Sequence, residues 1–152
     1  MSKKNSSIFL LFFMLLISQS ACKKESNNFK TNTQLITEKS WILVSYRYNF
    51  NNGPWIDGFV TIPNCQKDNE LSFQSTLNYL IDEGATKCNS SDPQIFQQGT
   101  WYFTRNETRL GSGYTNSNSI VDIVLLDDTS FKTSRKDTIG INTGITEANY
   151  TH

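Results

Sequence analysis

The chain holds a single histidine, His152, so neither a Ser–His–Asp triad nor a His-ligated metal site can be assembled from it. An excess of either charge is also lacking. Lys plus Arg and Asp plus Glu both number 14, which speaks against nucleic acid or a strongly acidic molecule as partner. Long hydrophobic runs are missing too. The longest, Ile8 to Ile17 (IFLLFFMLLI), rises about 15 Å as a helix, half of a hydrocarbon core of about 30 Å, which argues against a permanent transmembrane anchor. With 152 residues there is room for one domain and its attachments, not for a second core.

Motifs of chemistry are thin. Asp82-Glu83 are neighbours that a strand would point to opposite faces, so a solvated turn explains them better than an acid–base pair. Asp127-Asp128 read as a turn as well. Gly111-Ser112-Gly113 lacks the lysine and following helix of a phosphate loop and reads as a loose connection. No catalytic residue, metal ligand or cofactor is expected, and the protein is not expected to be an enzyme.

What the chain does have is aromatic and turn-forming residues: 10 Phe, 6 Tyr and 3 Trp stand among abundant Asn, Ser and Thr, a mixture that favours strands over helices. Thr33 to Glu38 suits a short helical turn with Thr33 as N-cap, plugging one end of the fold. Lys39 to Phe50 is the strongest strand, with Trp41, Leu43 and Ser45 on one face and Ile42, Val44, Tyr46 and Tyr48 on the other. Both faces are apolar near its start, where Leu35 and Ile36 are placed to fold against the outer one. Asn51 to Pro54 turns the chain, and Trp55 to Ile62 fits either an irregular strand or a loop. Strands follow at Glu70 to Phe73, Leu77 to Asp82, Gln97 to Thr104, Ser119 to Leu126 and Phe131 to Arg135, with a short one at Arg109-Leu110. The last segment, Thr138 to Tyr150, is interrupted by Gly140, Asn142 and Gly144, which leaves open whether a final strand closes the sheet. The count is about eight strands in up-and-down order, enough to close a barrel that side chains fill or that holds one small ligand.

The N-terminus carries an export signal: Lys3-Lys4, the apolar run, then Ser18-Gln19-Ser20-Ala21 before Cys22. A cysteine directly after small residues, followed by Lys23-Lys24-Glu25-Ser26, resembles the signal of a bacterial lipoprotein, especially those of Bacteroidetes. The resemblance implies cleavage before Cys22, acylation of that residue and display in the cell envelope, at the outer membrane or cell surface. Residues 1–21 are then signal peptide, 22–33 a lipidated polar tether and 34–152 the folded domain. Three cysteines are an odd number for an exported chain, and lipid on Cys22 removes the oddity. Cys65 and Cys88 remain as a pair free to oxidise, with two free thiols or a metal pair as the alternatives.

From about Leu35 onward the chain resembles the lipocalin-like domain of small Bacteroidetes lipoproteins. The residues that carry this are Ser40-Trp41, Cys65-Gln66-Lys67-Asp68 before the Phe73 strand, Asp82-Glu83-Gly84 leading to Lys87-Cys88, Gly99-Thr100-Trp101, and the passage Ile123 to Phe131. The resemblance implies an all-β, lipocalin-like antiparallel barrel, Trp41 near its closed end, a Cys65–Cys88 disulfide and no enzyme activity. Trp41, Tyr79, Trp101 and Phe103 are candidates to line the interior and grip an apolar ligand, and core packing explains them equally well. Trp55 and Phe59 fall in the connection that carries the entrance of such barrels and are candidate rim contacts. The expectation is an envelope lipoprotein binding a small hydrophobic ligand. The alternative is an interaction protein with a filled barrel that meets a protein or glycan through its loops.

Overall fold

The structure is a computed structural model that describes residues 29–152 with the exception of 116, so the signal and Cys22 lie outside the described residues. The first element is the helix α1 (Asn32–Thr37), started by a capping box. Thr31 Oγ1 accepts from the Gln34 amide at 3.1 Å, and Gln34 Oε1 accepts from the Thr31 amide at 2.8 Å. Thr31 is therefore the N-cap, two residues ahead of the expected Thr33, because Gln34 stands at the third helical position where it can reach back. A six-residue helix is not stable alone and is held here by packing. Ile36 is completely buried in the same core as Trp41, whose Nε1 donates to the Ile36 carbonyl at 3.0 Å. Asn32 reaches the Glu107 carbonyl, and Lys30 pairs with both Glu38 and Asp128. Those contacts draw α1 across one end of the sheet as a stopper; Ile36 belongs to the interior, not to an outer face.

Nine strands follow: β1 (Trp41–Phe50), β2 (Ile56–Asp57), β3 (Glu70–Phe73), β4 (Asn78–Asp82), β5 (Ile95–Thr104), β6 (Arg109–Tyr114), β7 (Ser117–Leu126), β8 (Ser130–Ile139) and β9 (Asn142–Thr151). From β3 onward each strand pairs antiparallel with the next, and β9 returns along β1 from Ile42↔Thr151 to Phe50↔Gly144. The result is a closed eight-stranded up-and-down barrel with β2 as an additional strand on the upper half of β1. Trp55 to Ile62 thus contains a two-residue strand and then a 3₁₀ turn (Phe59–Thr61). No helix among the described residues is long and apolar enough to cross a membrane.

One expectation about regularity is corrected and one open question is answered. Gly111-Ser112-Gly113 is not a connection but the middle of β6, fully paired with β5 and β7. The ring of Tyr102, directly opposite, occupies the space over Gly111, so the glycine gives an aromatic neighbour room where it would otherwise weaken the strand. The final strand closes the barrel in unbroken register with β8, and Gly144 in it lies opposite Phe50 on β1.

The core fills the α1 end. Inward residues of six strands meet there: Trp41, Phe73, Tyr79, Trp101, Leu110 and Phe131, all buried. Phe73 stands edge-on to Trp101 at 5.5 Å, and Phe131 stacks on Tyr150 at 5.3 Å. Trp101 donates its indole N–H to the Gln74 carbonyl at 2.9 Å, which satisfies the one polar group the ring carries. Each such side chain contributes about 1.5–3 kcal/mol by leaving water.

Candidate functional site

The long strands β1, β7, β8 and β9 rise past the packed core, and the space they enclose above it is a cleft. Its shape depends on one irregularity. Leu43 is opposite Tyr150 and Ser45 is opposite Asn149, so Val44 is an extra residue in β1, a β-bulge. Beyond it the phase of the strand shifts. Tyr46, Tyr48 and Phe50 face Ala148, Thr146 and Gly144 on the inner side, whereas unbroken alternation places Tyr46 and Tyr48 on the face opposite Trp41 and Leu43. The three rings form a ladder, with 6.0 Å between Tyr46 and Tyr48 and 5.5 Å between Tyr48 and Phe50.

The cleft has an inner and an outer part that share Tyr46 and Thr146. The inner part, about 410 Å³, rests on the core: Leu43, Val121, Ala148 and Tyr150 make its floor and walls, with Ile62 reaching in from the loop after β2. The outer part, about 300 Å³, runs up the aromatic ladder to Asn142. Burial pushes the Tyr150 phenol up to about 12, with Tyr46 adding to the effect, so the floor stays uncharged well into the alkaline range. Arg135 lines the inner part and Asp137 the outer. They sit two residues apart on the inward face of β8, and Arg135 Nε donates to Asp137 at 2.7 Å.

The six residues expected to touch a ligand lie elsewhere. Trp41, Tyr79 and Trp101 are packed in the core, and Phe103 is partly buried against Trp101 at 5.3 Å. None of them lines either part of the cleft. Trp55 is 41% exposed on the outside of the barrel, with the Arg47 guanidinium 4.4 Å from its ring centre and Arg47 in turn paired to Glu147. Phe59 lies under the Lys67 ammonium at 5.1 Å. The sequence reading singled out none of the cleft residues as ligand contacts, Leu43, Tyr46, Arg135, Thr146 and Tyr150 among them. A usable signal existed in Arg135-Lys136-Asp137, two opposite charges one residue apart that a strand puts on one face.

Cys65 and Cys88 form a disulfide with their Cα atoms 5.1 Å apart. It ties off the β3–β4 hairpin, and a second clasp lies inside it: Thr86 donates its amide and its hydroxyl to Asp68, each at 2.8 Å. The Thr86 hydroxyl in particular holds the Asp68 carboxyl below its ordinary range. Glu83, read as part of a solvated turn, is instead buried, because its backbone bonds to Gln94 in the loop that folds over it. Among the described residues no group of three or more His, Cys, Asp or Glu is placed to hold a metal ion. Compared with known proteins, the chain matches no family model and no curated sequence.

Proposed function

We propose that the protein is an envelope lipoprotein, anchored through lipid on Cys22, whose lipocalin-like barrel binds a small hydrophobic ligand in the cleft above its core. The observation that carries the reading is the half-filled barrel. Aromatic packing closes the α1 end, and the other half keeps an inner space of about 410 Å³ with mainly apolar walls. Ligand sites commonly run from about 300 to 1,000 Å³, mainly apolar with a few polar groups that fix orientation. The export signal, the odd cysteine count and the polar tether support the anchored form, and the disulfide suits an oxidising compartment. The kinship with Bacteroidetes lipocalin-like lipoproteins rests on the sequence features alone. Native mass spectrometry of the protein taken from its own membrane tests both halves of the proposal. The expected species carries acyl chains on Cys22 and a co-purified small adduct. An unmodified Cys22 ends the first half; a ligand-free protein that also takes up no lipid or small hydrophobe ends the second.

A different role, contact with a protein or glycan, draws support from Trp55, a large aromatic that stays exposed beside a cationic neighbour. Loss of partner capture on Trp55→Ala, with ligand uptake unchanged, is the result that favours it.

A further inference from the structure

We infer that the ligand is an amphipathic anion, a carboxylate on an apolar body, held head-first by Arg135. This rests on the cleft being a ligand site and names what it selects. Among the described residues, Arg135 is the only charged one lining the inner part of the cleft; every other wall there is apolar, aromatic or a threonine. Its guanidinium is oriented from two sides. Nε donates to Asp137 at 2.7 Å and Nη1 to Ser119 Oγ on β7 at 3.2 Å, while Nη2 has no partner among the described residues. A planar cation held at Nε and at Nη1 keeps the N–H groups of Nη2 with which to meet a carboxylate oxygen. The body of the ligand then lies on Leu43, Val121 and Ala148, with the Tyr150 ring beneath.

Asp137 sets the strength of this selection. It is the carboxylate that faces Arg135, and it lines the outer part of the cleft, so an incoming anion meets attraction from one and repulsion from the other. Lys132 and Lys136 flank Arg135 on β8 but alternate to the outer face and leave the inner charge to this pair. The Arg135 side chain is 44% exposed, which limits the gain from a charge-assisted contact to about tenfold in affinity, 1.4 kcal/mol.

Calorimetric titration of the purified protein at pH 7 with decanoate, decan-1-ol and decylamine provides the test. Decanoate is expected to bind about tenfold more tightly than the alcohol, and the amine most weakly. Arg135→Leu should reduce decanoate to or below the level of the alcohol, since Asp137 then repels it unopposed, and Asp137→Asn should raise decanoate affinity in the otherwise unchanged protein. Equal binding of acid and alcohol, or preference for the amine, overturns the anionic head and leaves a neutral-ligand cleft standing. Binding of none of the three overturns the cleft as a hydrophobe site altogether. Thermal unfolding of each variant shows whether an affinity change reflects the contact or the fold.

Discussion

Leu43 and Tyr46 point to the same side of β1, although three residues apart on a regular strand would put them on opposite faces. The extra residue between Leu43 and Ser45 absorbs the difference, and it brings the aromatic ladder inside. The costs of substitution follow from this. Tyr46→Ala is expected to destabilise by about 1–3 kcal/mol, because a half-buried ring that lines both parts of the cleft is lost. Ser45→Lys, on the outer face, should stay within about 0.5 kcal/mol. Denaturant midpoints check both. The reverse pattern would mean that β1 alternates without a bulge.

That strand also shows how far the sequence could be read. The barrel and its strand count were legible because apolar residues alternate along each strand, as at Trp101 and Phe103, and turn residues punctuate them. The cleft was not. A bulge at Val44 leaves no trace, since the residue is β-branched and suits a regular strand, so simple alternation assigned Tyr46 and Tyr48 to the wrong face. Arg135 was read as the end of a strand, with the last segment beginning at Thr138, because the apolar residues that mark the strand stop before Lys136 and Asp137. They are strand residues because β9 pairs with them throughout, a tertiary contact that no local window contains. Trp41, Tyr79 and Trp101, taken as ligand contacts, belong to the core itself, and the empty space is outlined by other rings, Tyr46, Tyr48 and Tyr150, together with small or polar residues such as Ala148, Thr133 and Thr146.

The Cys65–Cys88 bond closes a loop around β3 and β4, the two shortest strands of the barrel wall. Replacing both cysteines by serine is expected to lower stability by roughly 3 kcal/mol through the added freedom of the unfolded chain. The Asp68–Thr86 clasp remains in that variant. Asp68 has its folded value depressed below 3.8, so its contribution is present above that pH and is lost as the pH falls through the depressed value. The serine variant should therefore weaken further below about pH 4. Urea unfolding with and without reductant, at neutral and acidic pH, reads out both effects. No change in midpoint on reduction would show that the bond is not constraining the unfolded state.

Tyr150 governs the alkaline side. Its folded value lies near 12 against an ordinary 10.0, chiefly because burial penalises the phenolate. Below the ordinary value both states are protonated and stability is unaffected. Above it the unfolded chain ionises first, and stability declines until the folded phenol ionises too. Tyr150→Phe is expected to flatten the decline between about pH 9 and pH 11 at little cost at pH 7. Denaturant midpoints measured across that range decide it; an unchanged slope would mean that Tyr150 ionises as readily in the fold as out of it.

Gly58 and Tyr46 make the sharpest test of the cleft wall. Gly58 donates its amide to the Tyr46 carbonyl at 2.9 Å, and the Tyr46 ring lies over it so closely that a Cβ there would come within 2.5 Å of Cδ1 and 2.6 Å of Cε1. The backbone of Gly58, at φ −84°, would accept any residue, so the objection to a methyl group comes from side chains: chiefly the Tyr46 ring, with the Tyr48 ring a lesser second contact at 3.1 Å. Gly58→Ala should therefore cost about 1–3 kcal/mol and push Tyr46 toward the cleft, lowering affinity for a hydrophobic ligand. In a Tyr46→Ala background the ring is gone. There the same substitution is expected to cost much less, the backbone gain of about 0.4–1 kcal/mol from replacing glycine being set against the small adjustment the Tyr48 ring must make. The coupling between the two changes measures the contact directly. An equal cost of Gly58→Ala in both backgrounds would place the strain somewhere other than against Tyr46 and would remove the link between this loop and the shape of the cleft.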